Sequence, residues 1–93
     1  MSHRGIRYQT DVSGFWALGP TDGASVRLDG TVREMRSKGD VIEIVLCDEK
    51  ACIDGVVPVR FGSRIAPQTR VILTGIYRDK QLHVSDVLTR CHE

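Results

Sequence analysis

From Ser25 onward, apolar and polar residues exchange places at every second position, in short runs cut by turn residues. A period of two is the period of a β-strand with one face buried. Val26, Leu28 and Val32 alternate with Arg27, Asp29, Thr31 and Arg33. Gly30 falls on the inward side of this first strand, where a missing Cβ marks a bend or bulge at a barrel corner. Ser37-Lys38-Gly39-Asp40 reads as a turn. Val41 to Cys47 forms a second strand with Ile42, Ile44 and Leu46 facing in, and Asp48 to Ala51 a hairpin loop. Cys52 to Phe61 forms the third, with Ile53, Val57, Val59 and Phe61 on one face. Gly62 to Gln68 is a loop or one helical turn, Thr69 to Arg78 a fourth strand, and Asp79-Lys80 a tight turn. Gln81 to Thr89 is the fifth strand, carrying Leu82, Val84, Val87 and Leu88. No helical apolar period lasts longer than two turns.

Five strands within residues 25–89, with a bend glycine in the first, predict an all-β domain. The expected architecture is a small five-stranded Greek-key barrel, the OB-fold, with an SH3-like barrel as the structural alternative. Residues 1–24 read as a flexible arm, or as a remnant outside the domain, because Gly5, Gly14, Gly19, Pro20 and Gly23 interrupt any regular pattern. Phe15 and Trp16 are the strongly apolar pair there; they pin the arm to the body or anchor a longer protein. Residues 90–93 read as a flexible tail. The chain has 93 residues, enough for one small domain and too few for a two-lobed enzyme. With 13 basic against 12 acidic residues and a net charge of +1, it is neither a disordered polar tail nor a strongly basic nucleic-acid module. It contains no run of apolar residues long enough to span a bilayer, and its polar N-terminus is not a signal peptide. Ten of the cations are Arg, suited to bidentate contact with carboxylates or phosphates and equally to covering the outer faces of strands.

OB-folds bind ligands on the outer face of their second and third strands. Here that face is predicted to carry Val41, Glu43, Val45 and Cys47, then Cys52, Asp54, Val56, Pro58 and Arg60. Val41, Val45, Val56 and Pro58 make it apolar, which suits a greasy ligand or a protein partner, unless the arm covers it. Glu43 and Asp54, with few aromatic rings, argue against nucleic acid, which needs stacking platforms and a positive groove.

Cys47 and Cys52 face the same way at the two ends of a four-residue loop. Three readings stand: a cross-strand disulfide, half of a metal site, or two structural thiols. Cys91 and His92 follow the last strand directly, and a thiolate and an imidazole are both good iron ligands. His83 alternates with Leu82 and Val84, so it faces outward. No Ser-His-Asp set, paired carboxylate site or glycine-rich phosphate loop is present, which excludes the common enzyme classes.

Several runs resemble the CcmE family, the haem chaperones of cytochrome c maturation. Val26-Arg27-Leu28-Asp29-Gly30-Thr31-Val32 is similar to the family's V-R-V-G-G-x-V strand. Val57-Pro58-Val59-Arg60-Phe61 is similar to its V-x-V-x-Y/F strand, and Val71-Ile72-Leu73-Thr74-Gly75 to the next. Val84-Ser85-Asp86-Val87-Leu88-Thr89-Arg90-Cys91-His92-Glu93 resembles the closing A-x-x-V-L-A-K-H-D-E-N-Y, with Cys91 where the haem-attaching His stands. A branch of the family carries Cys there, in a C-x-x-x-Y motif. The resemblance implies a periplasmic carrier tethered to the membrane by an anchor that this sequence does not contain. Such a carrier takes haem from an export complex and passes it to a lyase that loads apocytochrome c. It further implies that Cys91, with His92 as a weaker second, bonds the haem. Val41, Val45, Val56 and Pro58 would cover one porphyrin face, and Arg60 would pair with a propionate.

A second resemblance runs from Val26 to Ile53, in the pattern V-x-x-x-G-x-V-x-x-x-R-x-K-G-x-V-x-x-I-x-L-x-D of anticodon-binding OB domains of aminoacyl-tRNA synthetases. Arg36, Lys38 and Gly39 occupy the loop that contacts nucleic acid in such domains, implying a tRNA- or single-strand-binding module. A third expectation is a zinc-stabilised interaction module using Cys47, Cys52, Cys91 and His92.

Overall fold

A computed structural model describes residues 7–89, with only the backbone considered for Arg7 and Tyr8. Its elements run β1 (Arg7–Asp11), α1 (Val12–Ala17), β2 (Ala24–Lys38), β3 (Val41–Cys47), β4 (Cys52–Pro58), a 3-10 segment (Val59–Arg64), β5 (Arg70–Arg78) and β6 (Gln81–Thr89). The strand order is β1-β2-β3-β4-β6-β5, and a β2–β5 pairing closes the last five strands into a barrel. Four of the five barrel contacts are antiparallel. The fifth, β4 to β6, is parallel and short, from Asp54↔Gln81 to Val56↔His83.

The alternation does what it predicts. Val26, Leu28, Val32, Ile42, Ile44, Leu46, Ile53, Val57, Val71, Leu73, Leu82, Val84 and Val87 all enter one core. Gly30 is inward and buried. A Cβ there would lie 2.9 Å from Leu46 Cγ and 3.0 Å from the Cys47 carbonyl, so the residue permits close strand approach. The irregularity itself falls slightly later, between Val32 and Glu34. It lets one 15-residue strand serve two partners, β5 with its first half and β3 with its second. The Asp79-Lys80 turn has positive φ at both residues, as a two-residue hairpin requires.

Two expectations need correction. First, the arm expected over 1–24 is structured from Arg7 onward. β1 pairs in parallel with the first half of β2, and α1 closes an end of the barrel. Asp11 caps α1 by accepting from the Gly14 N–H at 2.8 Å, and Gly19, at φ 69°, ends it just before Pro20. Val12 and Phe15 are fully buried. The Phe15 ring stands edge-on to Tyr77 at 5.1 Å. Gly14, which reads as a breaker, sits where a Cβ would strike Thr10 Oγ1. Second, the third strand ends at Pro58, not Phe61. The chain turns there into the 3-10 segment, so Val59 is 53% exposed rather than inward. Phe61 is half-buried against the core.

Candidate functional site

The strand pairings align the outward side chains of four strands into three rows. Glu34, Val45, Asp54 and Gln81 form the first. Arg36, Glu43, Val56 and His83 form the second, and Lys38, Val41 and Pro58 the third. Charge therefore changes sign along the face. The first row holds two carboxylates and no cation, the second one of each besides His83, and the third a lone ammonium beside apolar residues. A concavity of about 540 Å³ covers the acidic part, lined by Glu34, Arg36, Glu43, Asp54 and Gln81 among others. Lys38 Nζ lies 3.7 Å from Glu43 Oε2, an exposed pair that contributes little to stability.

Beyond the third row stands the 3-10 segment, tied to the β2–β3 turn by the Val59 N–H donating to the Asp40 carbonyl at 3.1 Å. Arg60 and Arg64 both place their guanidinium carbons over the Phe61 ring, at 4.9 and 5.7 Å from its centroid. Neither has a carboxylate at ion-pairing distance among the described residues. Arg64 Nη1 also donates to the Val87 carbonyl at 3.4 Å, bringing the cluster against the end of β6. The result is a cationic and aromatic cap at one end of an otherwise acidic and apolar face.

Val41, Val45, Val56 and Pro58 share the outer face, all half-buried. Arg60, expected on that strand face, lies instead in the 3-10 segment above it, because Pro58 ends the strand. Cys47 and Cys52 are directly opposed, with Cα atoms 4.0 Å apart, and joined in a disulfide. That removes both from the four-ligand zinc set in this form. No cluster of three or more metal-ligating side chains occurs among the described residues. Cys91 and His92 lie outside the described residues. Phe61 and Arg64 give Arg60 its setting; the alternation puts Phe61 on a strand face and gives no sign of Arg64, because the 3-10 turn that gathers all three is not a strand. Among the described residues no helix is long and apolar enough to cross a membrane.

No protein-family model and no curated protein matches the sequence. Solved structures do match its shape. Residues covering 73% of the chain superpose on 19% of asparaginyl-tRNA synthetase from Pyrococcus horikoshii, with a TM-score of 0.64 at 22% identity. A lysozyme-bound OBody, AM1L10, matches 76% of the chain over 83% of its own length, with a TM-score of 0.67 at 14% identity. The barrel is an OB-fold. The S. pombe Stn1-Ten1 complex matches as well, with a TM-score of 0.61 at 10% identity over 73% of this chain and 59% of its own. Within the OB-fold frame, the three rows lie on the face that such barrels present to ligands, between the β2–β3 and β5–β6 turns.

Proposed function

We propose that this OB-fold binds a single strand of nucleic acid, held by the end of the face that carries Arg36, Lys38, Arg60 and Arg64. The observation that supports this is the pair of guanidinium groups over Phe61, with no carboxylate at ion-pairing distance among the described residues and next to the apolar third row. Guanidinium planes bind phosphate bidentately and stack on bases. Val41 and Pro58 offer a flat surface beside them. The carboxylates of Glu34, Glu43 and Asp54 repel a polyanion, so they confine the footprint to this end and keep affinity modest. The kinship in shape with a tRNA synthetase domain agrees with this reading.

The test is fluorescence anisotropy with labelled oligonucleotides across a salt series. Four phosphate contacts predict a log–log slope of about −3. Arg60→Ala/Arg64→Ala should halve it, while the pairing of Glu34 and Asp54 with Val45 predicts that Glu34→Gln/Asp54→Asn tightens binding. Binding that ignores salt or the Arg pair overturns the proposal.

A second reading, haem transport, rests on the CcmE resemblance of the sequence. Thr89 stands two residues before Cys91 in sequence, and Val87 is held by Arg64. Leu88 and Val59, 42% and 53% exposed, are apolar surface on the last strand and the 3-10 segment. Haem as cargo needs a soft iron ligand, apolar cover and cations for its propionates. In this reading Cys91 is the iron ligand, Leu88 and Val59 are the apolar cover, and Arg60 and Arg64 are the cations. In this reading the partners are the export, lyase and apocytochrome components that the CcmE resemblance implies. Haem titration should give a saturable Soret band that Cys91→Ala abolishes; no band, or one unchanged in the variant, sinks it.

A further inference from the structure

Past the acidic row, at the end of β3, a second concavity of about 700 Å³ opens where β2, the β3–β4 hairpin and the start of α1 meet. Arg33, Cys47, Asp48, Lys50 and Arg70 are in its wall. The two sulfurs of the Cys47–Cys52 disulfide have unlike surroundings. Cys47 is 4% exposed, and Arg33 Nη1 lies 3.9 Å from its Sγ. Cys52 is exposed, and its carbonyl accepts from Trp16 Nε1 at 3.0 Å. The nearest acid in sequence, Asp48, already accepts three N–H donors, from Ser13, Lys50 and Ala51.

We propose that this disulfide is a thiol-exchange site in which an incoming thiolate attacks Cys52 Sγ and Cys47 leaves as a thiolate beside Arg33. The incoming sulfur's electron pair forms the new bond to Cys52 Sγ. The Cys47–Cys52 bond breaks, and its electron pair stays on Cys47. A second thiolate then attacks the incoming sulfur of the mixed disulfide, forming an external disulfide and releasing the Cys52 thiolate. Two thiols are oxidised and one disulfide reduced. The asymmetry assigns the roles: attack falls on the exposed cysteine of the pair, Cys52, and departure is favoured where a cation stands beside the leaving sulfur, as Arg33 does beside Cys47. The substrate class is a thiol, whether a small molecule or a cysteine of a partner polypeptide.

The experiment uses the full chain carrying Cys91→Ser, so that Cys47 and Cys52 are its two remaining cysteines. Folded protein is incubated with reduced glutathione or with a two-cysteine peptide, quenched with acid and mapped by mass spectrometry. The emission of Trp16, the one tryptophan in the chain, is followed in parallel. The mixed disulfide is expected on Cys52 and not on Cys47, with circular dichroism unchanged. Arg33→Gln should slow its formation about threefold or more, and Arg33→Lys should restore part of the rate. Faster reaction with glutathione names a small-molecule thiol, and faster reaction with the peptide a polypeptide one. An adduct on Cys47, reaction only after the chain unfolds, or a rate indifferent to Arg33→Gln overturns the proposal.

Discussion

The Ser13 N–H donates to Asp48 Oδ2 at 2.8 Å, joining the first turn of α1 to the β3–β4 hairpin across 35 residues of sequence. The other oxygen, Oδ1, accepts the N–H groups of Lys50 and Ala51, each at 2.7 Å. One carboxylate thus shapes the hairpin loop and docks the N-terminal helix onto it.

Asp48 should make the fold acid-sensitive in a defined direction. Burial alone would raise its pKa, but the hydrogen bonds from Ser13, Lys50 and Ala51 outweigh it and hold the carboxyl well below the usual range. A depressed folded pKa adds stability above the unfolded value of about 3.9, and that stability is lost as pH falls below it. The melting temperature of Asp48→Asn should therefore lie below that of the parent near neutrality, and the gap should close as melts are repeated toward pH ~2. A gap of constant size would show that the charge plays no part.

Phe15→Ala should destabilise the domain by about 3–5 kcal/mol in urea unfolding, as expected for a large buried ring. Phe15 is fully buried, 5.1 Å from Tyr77 and 5.3 Å from Trp16. A loss under about 1 kcal/mol would mean that the barrel holds without α1.

Gly75→Ala should be among the worst single-methyl additions. A Cβ at Gly75 would strike the backbone carbonyl of His83, which cannot rotate aside. At Gly62 the obstacle is Ile42 Cδ1 at 3.1 Å, the far end of a flexible side chain. Overpacking costs about 1–3 kcal/mol. Gly75→Ala should reach or exceed that range and Gly62→Ala fall below it in chemical denaturation; the reverse order would contradict the geometry.

Lys80→Gly should stabilise the β5–β6 turn. Lys80 holds φ 64° after Asp79 at φ 54°. A side chain in the left-handed region costs about 1 kcal/mol, and Asp-Gly is favoured in such hairpins. A rise of several tenths of a kcal/mol in unfolding free energy is expected; a fall would show that the Lys80 side chain makes a compensating contact.

How far the fold was legible depends on how local its cause is. β3 and β6 begin and end where the alternation and the turns at Gly39-Asp40 and Asp79-Lys80 place them. Burial period and turn chemistry act between residues a few positions apart. α1 was not legible: six residues with a glycine inside look like a break, and the Thr10 side chain that makes Gly14 necessary comes close only once the turn has formed.

The candidate site divides in the same way. Which residues point outward on β3 and β4 follows from strict alternation, so Val41, Val45, Val56 and Pro58 fall where expected. The alignment of Glu34, Val45, Asp54 and Gln81 into an acidic row depends on register across four strands, including the parallel contact between β4 and β6. The gathering of Arg60, Phe61 and Arg64 against Val87 depends on the chain leaving the sheet at Pro58. Sequence patterning settles the faces of single strands, because a residue's side depends only on its neighbours. Charge gradients, stacked guanidiniums and the bond from Ser13 to Asp48 arise between residues far apart in the chain, and they exist only after the barrel has closed.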